Sequence, residues 1–84
     1  MTNEVILQEL ENISLKLGVT IRYERGDFAG GYCKIVDGKF IILNRKFTIM
    51  KKINMIANEL SKLDIESIFI IPKVKEIILK NSEK

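Results

Sequence analysis

The chemistry open to this chain is restricted because none of its 84 residues is histidine. Histidine is the side chain that most often transfers protons near neutral pH and binds metal ions. Serine–histidine and cysteine–histidine nucleophilic arrangements are therefore excluded, and a structural zinc site needs more thiols than Cys33, the single cysteine, supplies. We accordingly predict no catalytic residues, no metal site, no cofactor and a protein that is not an enzyme.

The candidate for ligand binding is a basic cluster of four residues, Arg45, Lys46, Lys51 and Lys52, with Phe47 among them. Residues 45–84 hold nine Lys/Arg and five Asp/Glu, whereas residues 1–44 hold five and six, so the whole net charge of +3 arises in the second half. The cluster permits binding of phosphate, nucleic acid or an acidic protein surface. A solvated surface with no ligand is the alternative.

A second candidate is Phe28, which lies within the glycine-rich stretch of residues 26–31. The stretch lacks the Gly-Lys-Ser/Thr ending of a P-loop and leads into a strand, so we interpret it as a turn rather than a phosphate cradle. Phe28 at such a loop tip either folds back over the core or projects into a partner.

Three helices are predicted to position these residues. Apolar residues recur at helical spacing over residues 3–17, 48–63 and 72–81. Thr2 or Asn3 and Thr48 are suited to cap the first two helices, and Pro72 to occupy the first position of the third. Gly18 is suited to a left-handed stop after the first helix.

Strands are predicted over residues 19–24, 32–44 and 67–71. Residues 19–24 alternate between apolar and polar, with Val19, Ile21 and Tyr23 on one side. Asp37-Gly38 favours a two-residue hairpin turn within residues 32–44. The order α-β-β-β-α-β-α predicts a single α+β domain over residues 1–84, with a small, mainly antiparallel sheet of about four strands and helices on one face.

The hairpin turn also predicts which residues share a face of the sheet. One face is wholly apolar and is expected against the helices: Cys33, Ile35, Phe40 and Ile42. Burial there would raise the pKa of the Cys33 thiol and leave it unreactive. The other face is mixed, and its apolar members are predicted to form an interface: Tyr32, Val36, Ile41 and Leu43.

An Ile-Leu-Asn strand (residues 42–44) leads into a helix that reads Ala-Asn-Glu-Leu-Ser-Lys (residues 57–62). On these residues, the segment of residues 31–62 resembles small zinc metallopeptidases of the ImmA/IrrE type, which have Ala-His-Glu-Leu-Gly-His at this point of the helix. Glu59 matches the glutamate base, whereas Asn58 and Lys62 stand where zinc-binding histidines would be. The resemblance therefore implies a relative without the metal site. The chain also resembles small uncharacterised bacterial proteins, which imply no function.

From the residues, we favour a non-catalytic protein-interaction or self-association module whose partner is another copy or another protein. The alternative is a nucleic-acid or phosphate-binding protein that uses the basic cluster. The longest apolar runs fall far short of the roughly 20 residues that span a membrane, and a lone cysteine suits a reducing compartment. We therefore predict a cytoplasmic protein with no membrane partner.

Overall fold

The computed structural model describes residues 1–26, 31–35 and 38–83, without the side chains of residues 31–35 and 83. The elements run in the order α1 (Asn3–Lys16), β1 (Val19–Glu24), β2 (Gly31–Ile35), β3 (Gly38–Asn44), α2 (Ile49–Leu60), a 3₁₀ turn (Ile65–Ser67), α3 (Pro72–Lys80) and a second 3₁₀ turn (Asn81–Glu83).

The three helices lie where the sequence places them. The Thr2 hydroxyl accepts a hydrogen bond from Val5 N at 3.2 Å, and the Thr48 hydroxyl caps α2 in the same way. Pro72 is the first residue of α3, where its missing N–H removes no helical bond. Gly18 has φ +77°, the left-handed conformation that ends α1 at little steric cost. These four predictions are confirmed.

The sheet is not the one that the sequence predicts. The described residues form three strands in the order β1-β3-β2, with β1 parallel to β3 and β2 antiparallel to β3. The predicted sheet of about four mainly antiparallel strands is therefore wrong. β3 takes the central position, which suits its uninterrupted apolar run of residues 40–43, because a central strand is covered on more sides than an edge strand.

The predicted strand at residues 67–71 does not join the sheet. Ile65–Ser67 forms a 3₁₀ turn, and Ile68 has extended φ and ψ angles but no strand partner among the described residues. The helix that follows, α3, packs on α1 and α2 rather than on the strands. The chain entering α3 therefore does not return to a sheet edge, and the extended backbone favoured by Ile68, Phe69, Ile70 and Ile71 stays unpaired.

The hairpin register differs by two residues from the predicted one. Gly38 pairs with Ile35, and Cys33 pairs with Phe40 rather than with Ile42. Gly38 is thus part of β3, and the predicted two-residue turn at Asp37-Gly38 is wrong; Asp37 itself lies outside the described residues.

The predicted faces of β3 are exchanged. Ile41 and Leu43, predicted for an outer interface, are fully buried in the core, whereas Phe40 and Ile42 are only partly buried. The parallel register with β1 places Ile21 beside Ile41 and Tyr23 beside Leu43, so the apolar set of β1 determines which face of β3 meets the helices. Lys39 lies at the start of this face, where a long aliphatic stem is compatible with partial burial.

The core lies between the inner face of the sheet and the helices. α1 packs on β1, and α2 packs on β2 and β3 as well as on α1, while α3 completes the core by packing on α1 and α2. The fully buried residues of the core include Leu10, Val19, Ile56, Leu60 and Ile78. None of the helices in the described residues combines the length and the apolar character that crossing a membrane requires.

The exchange of faces gives a direct stability test. We expect Ile41→Ala to lower the free energy of unfolding by about 2–5 kcal/mol, because it leaves a cavity in the core. Its neighbour Ile42→Ala removes the same atoms from a partly exposed site and should cost less than about half as much. Urea unfolding of both variants measures the difference, and a larger loss for Ile42→Ala would show that the predicted face is the buried one.

Candidate functional site

The site is the edge of the sheet where the parallel strands β1 and β3 both end. Glu24 pairs with Asn44 at this edge, and Arg45 N donates a hydrogen bond to Glu24 O at 2.8 Å beyond the last pair. Arg25 and Arg45 therefore follow neighbouring strands side by side. The carboxyl ends of adjacent parallel strands are where ligands bind in many α/β sheets, because the loops after both strands meet there.

Asn44 joins the loops that leave the two strands. Its side chain is buried, and its amide donates to the carbonyl oxygen of Gly26 while its Oδ1 accepts from Lys46 N at 3.0 Å. An asparagine side-chain oxygen that accepts a hydrogen bond from the backbone N–H two residues later forms an Asx turn. Asn44 thus holds the chain after β1 against the turn that leads into α2, and so positions Arg45 and Lys46.

Two lysines of the basic cluster lie against aromatic rings. Lys51 Nζ is 4.7 Å from the centroid of the Phe47 ring, and Lys52 Nζ is 5.1 Å from that of Tyr23. A cation over a ring face at a partly exposed site gains roughly 0.5–1 kcal/mol. Positive charge in the first turn of a helix costs about 0.3–1 kcal/mol. The gain from the cation–ring contacts and the cost of positive charge at the N-terminus of α2 are of similar size. The contacts can therefore offset the cost, although the first turn of α2 has no acidic residue.

Tyr23 links this edge to α1. Its hydroxyl donates a hydrogen bond to Glu11 Oε2, and Lys52 lies over its ring. Burial raises the pKa of Tyr23 above its usual value, and the hydrogen bond and the charge of Glu11 raise it further. Tyr23 therefore stays neutral over the physiological range and serves as an anchor for Lys52 rather than as an acid.

Cations outnumber acids at this edge. Among the described residues, Arg22 pairs with Glu24 at 3.3 Å and Glu11 is held by Tyr23. Five further cations form no ion pair with any described residue: Arg25, Arg45, Lys46, Lys51 and Lys52. Arg45, Lys46 and Lys51 are exposed, and Lys52 is half-buried. The described residues of this edge therefore carry more positive than negative charge, in a chain whose total net charge is +3.

Two of the four predicted interface residues do not lie on the surface. Ile41 and Leu43 are core residues with no exposed surface, Val36 lies outside the described residues, and the side chain of Tyr32 is not described. Phe28 also lies outside the described residues, so neither of its alternatives is tested.

Sequence reasoning missed four contributors to the site: Glu11, Tyr23, Arg25 and Asn44. Arg25 was separated from the basic cluster by 20 positions, and only the parallel pairing brings them together. Asn44 directly precedes Arg45, and an asparagine at the end of a strand is a recognised turn signal that could have marked it.

The residues of the metallopeptidase resemblance make other contacts in the structure. Asn58 donates to Asn81 O at 2.8 Å and so ties α2 to the end of α3. Lys62 Nζ lies 3.2 Å from Glu59 Oε2 as an ion pair one helical turn apart. Within residues 1–26, 31–35 and 38–83, no group of three or more histidine, cysteine or acidic residues is placed to hold a metal ion.

The environment of Tyr23 predicts a pH effect. Its raised pKa means that the folded state holds the phenolic proton more tightly than the unfolded chain, which titrates near 10. Below about pH 10 the contribution of this proton to the free energy of unfolding is present in full. As the pH rises above about 10, the free energy of unfolding should fall. Urea unfolding from about pH 8 to 11 should show this fall in wild type and a smaller one in Tyr23→Phe. An equal fall in the two proteins would contradict the described environment.

Comparison of the chain with models of known protein families, with curated proteins and with solved structures finds no match. The resemblance to ImmA/IrrE-type metallopeptidases therefore stays a prediction from the sequence. What this site can do has to be argued from its own charges and contacts.

Proposed function

We propose that this chain binds nucleic acid through the phosphate backbone, and that the contact surface is the basic cluster together with Arg25. The observation that carries the proposal is the gathering, at one edge of the sheet, of five cations that form no ion pair with any described residue. Phosphate neutralisation by Lys and Arg supplies most of the affinity of sequence-independent nucleic-acid binding.

The placement of the cations favours a polymer of phosphates over a single anion. They follow β1, follow β3 and continue into the first turn of α2, so their contacts would be spread along a backbone. The rings of Phe47 and Tyr23 limit the positions open to Lys51 and Lys52 before any ligand binds. Ordered cations lose less conformational entropy on binding than free ones.

Charge reversal tests the proposal. Replacing Arg45 and Lys46 together by Glu should lower the affinity for a short fluorescent oligonucleotide by at least about tenfold, because two phosphate contacts are lost and two repulsions are added. Both positions are exposed, so the fold should be retained. Fluorescence anisotropy with single-stranded and duplex DNA and RNA measures the loss and shows which form is preferred.

The matched control is Lys16→Glu with Lys80→Glu, two exposed residues in the last turns of α1 and α3. Both double variants carry the same net charge, so a loss confined to the first one locates the binding surface. In wild type, log K should fall linearly with log salt, with a slope of about −0.9 per phosphate contact on duplex DNA. No binding at low salt, or an equal loss in both variants, would overturn the proposal.

A further inference from the structure

The segment between the 3₁₀ turn and α3, residues 68–71, belongs to no helix or strand of the described residues. Ile68 has φ −131° and ψ 159°, within the β region. Ile71 O accepts from Val74 N and Lys75 N, whereas the backbone groups of residues 68–70 bond to no described backbone group. Unpaired donors and acceptors along an extended segment form a template for strand addition.

The side chains of this segment alternate between buried and exposed positions. Ile70 is buried and Ile68 partly buried, whereas Phe69 is 78% exposed and Ile71 is 40% exposed. An open groove of about 800 Å³ lies between this segment and α3, and the half-exposed Leu79 of α3 lines it with Phe69. Phe69 and Leu79 therefore expose large apolar side chains to water in one groove, which is the pattern of an uncovered contact.

We propose that this segment, residues 68–71, pairs antiparallel with the same segment of a second copy of the chain, so that the two copies share one two-stranded ribbon. Each Phe69 would then leave water against the apolar surface of the other copy. A contact between identical segments is naturally a two-fold one, in which each residue meets its partner reciprocally.

The charges around the segment argue for a second copy and for the antiparallel direction. Asp64 and Glu66 precede the apolar residues, and Lys73 and Lys75 follow them. Antiparallel pairing sets the acidic end of one copy beside the basic end of the other, whereas parallel pairing would set like charges together. Within one chain Lys75 Nζ already lies 2.7 Å from Glu66 Oε2 as an ion pair. The other two charged residues, Asp64 and Lys73, are exposed and could form ion pairs across the dimer.

Pro72 limits the ribbon to this segment. It has no N–H to donate and begins α3, so pairing ends there. A ribbon of four residues predicts a dimer that dissociates on dilution, and the two-fold contact closes it because both copies use the same edge of the segment.

Sedimentation equilibrium over a range of protein concentrations tests the proposal. Wild type should dimerise, and Phe69→Asp should weaken the dimer by roughly tenfold or more, because it removes a central apolar anchor. Leu15→Asp is the matched control: Leu15 is 66% exposed on α1 and should leave association unchanged. A wild-type monomer at high micromolar concentration, or equal effects of the two variants, would overturn the proposal.

A charge swap tests the direction of pairing. Lys73→Glu alone should weaken the dimer, and Asp64→Lys added to it should restore association, since the two ends again carry opposite charges. The amides of residues 68–70 should exchange more slowly in the dimer than in the monomer. A swap that fails to restore association, or amides that exchange equally fast in a proven dimer, would exclude the antiparallel ribbon.

Discussion

The parallel pairing of β1 with β3 is the contact on which the rest of the structure depends. It joins the one strand whose apolar face is unambiguous, with Val19 and Ile21, to a strand that is apolar on both faces. The register decides that Ile41 and Leu43 enter the core, because side chains at paired positions share a face. Burying these two fully covered aliphatic side chains contributes roughly 1.5–3 kcal/mol each, and the register with β1 decides that Ile41 and Leu43 rather than Phe40 and Ile42 make this contribution.

The same pairing creates the candidate site. Two parallel strands end together, so the residues that follow them meet although they are far apart in the chain. Asn44 uses its buried amide to hold both exits, and Thr48 starts α2 a few residues later. The concentration of cations at this edge costs electrostatic free energy in the free protein, and binding of phosphates would relieve that repulsion.

A chain of this length buries only a small core. In the structure, three helices cover one face of a sheet of three described strands. The segment of residues 68–71 joins no strand of the described sheet, although Ile70 packs in the core. Its neighbours Phe69 and Ile71 are exposed to water. The two surfaces that the fold leaves incomplete, the positive edge and this segment, involve different elements, so nucleic-acid binding and self-association can be tested separately.

The sequence by itself determined the three helices, their caps and the basic cluster, because helix periodicity, capping and charge are local and are visible within a few residues. Only the tertiary structure decided the strand partners. The alternation in β1 marks its inner face, but nothing local states that its neighbour is β3, so the inner face of β3 could not be derived from the hairpin alone. The same limit applies to the site: Lys51 and Lys52 are near Arg45 in sequence, whereas Arg25 and Tyr23 reach them through the sheet. Strand propensity at residues 68–71 likewise agrees with the extended angles of Ile68, while the tertiary structure decided that no described strand lies beside this segment.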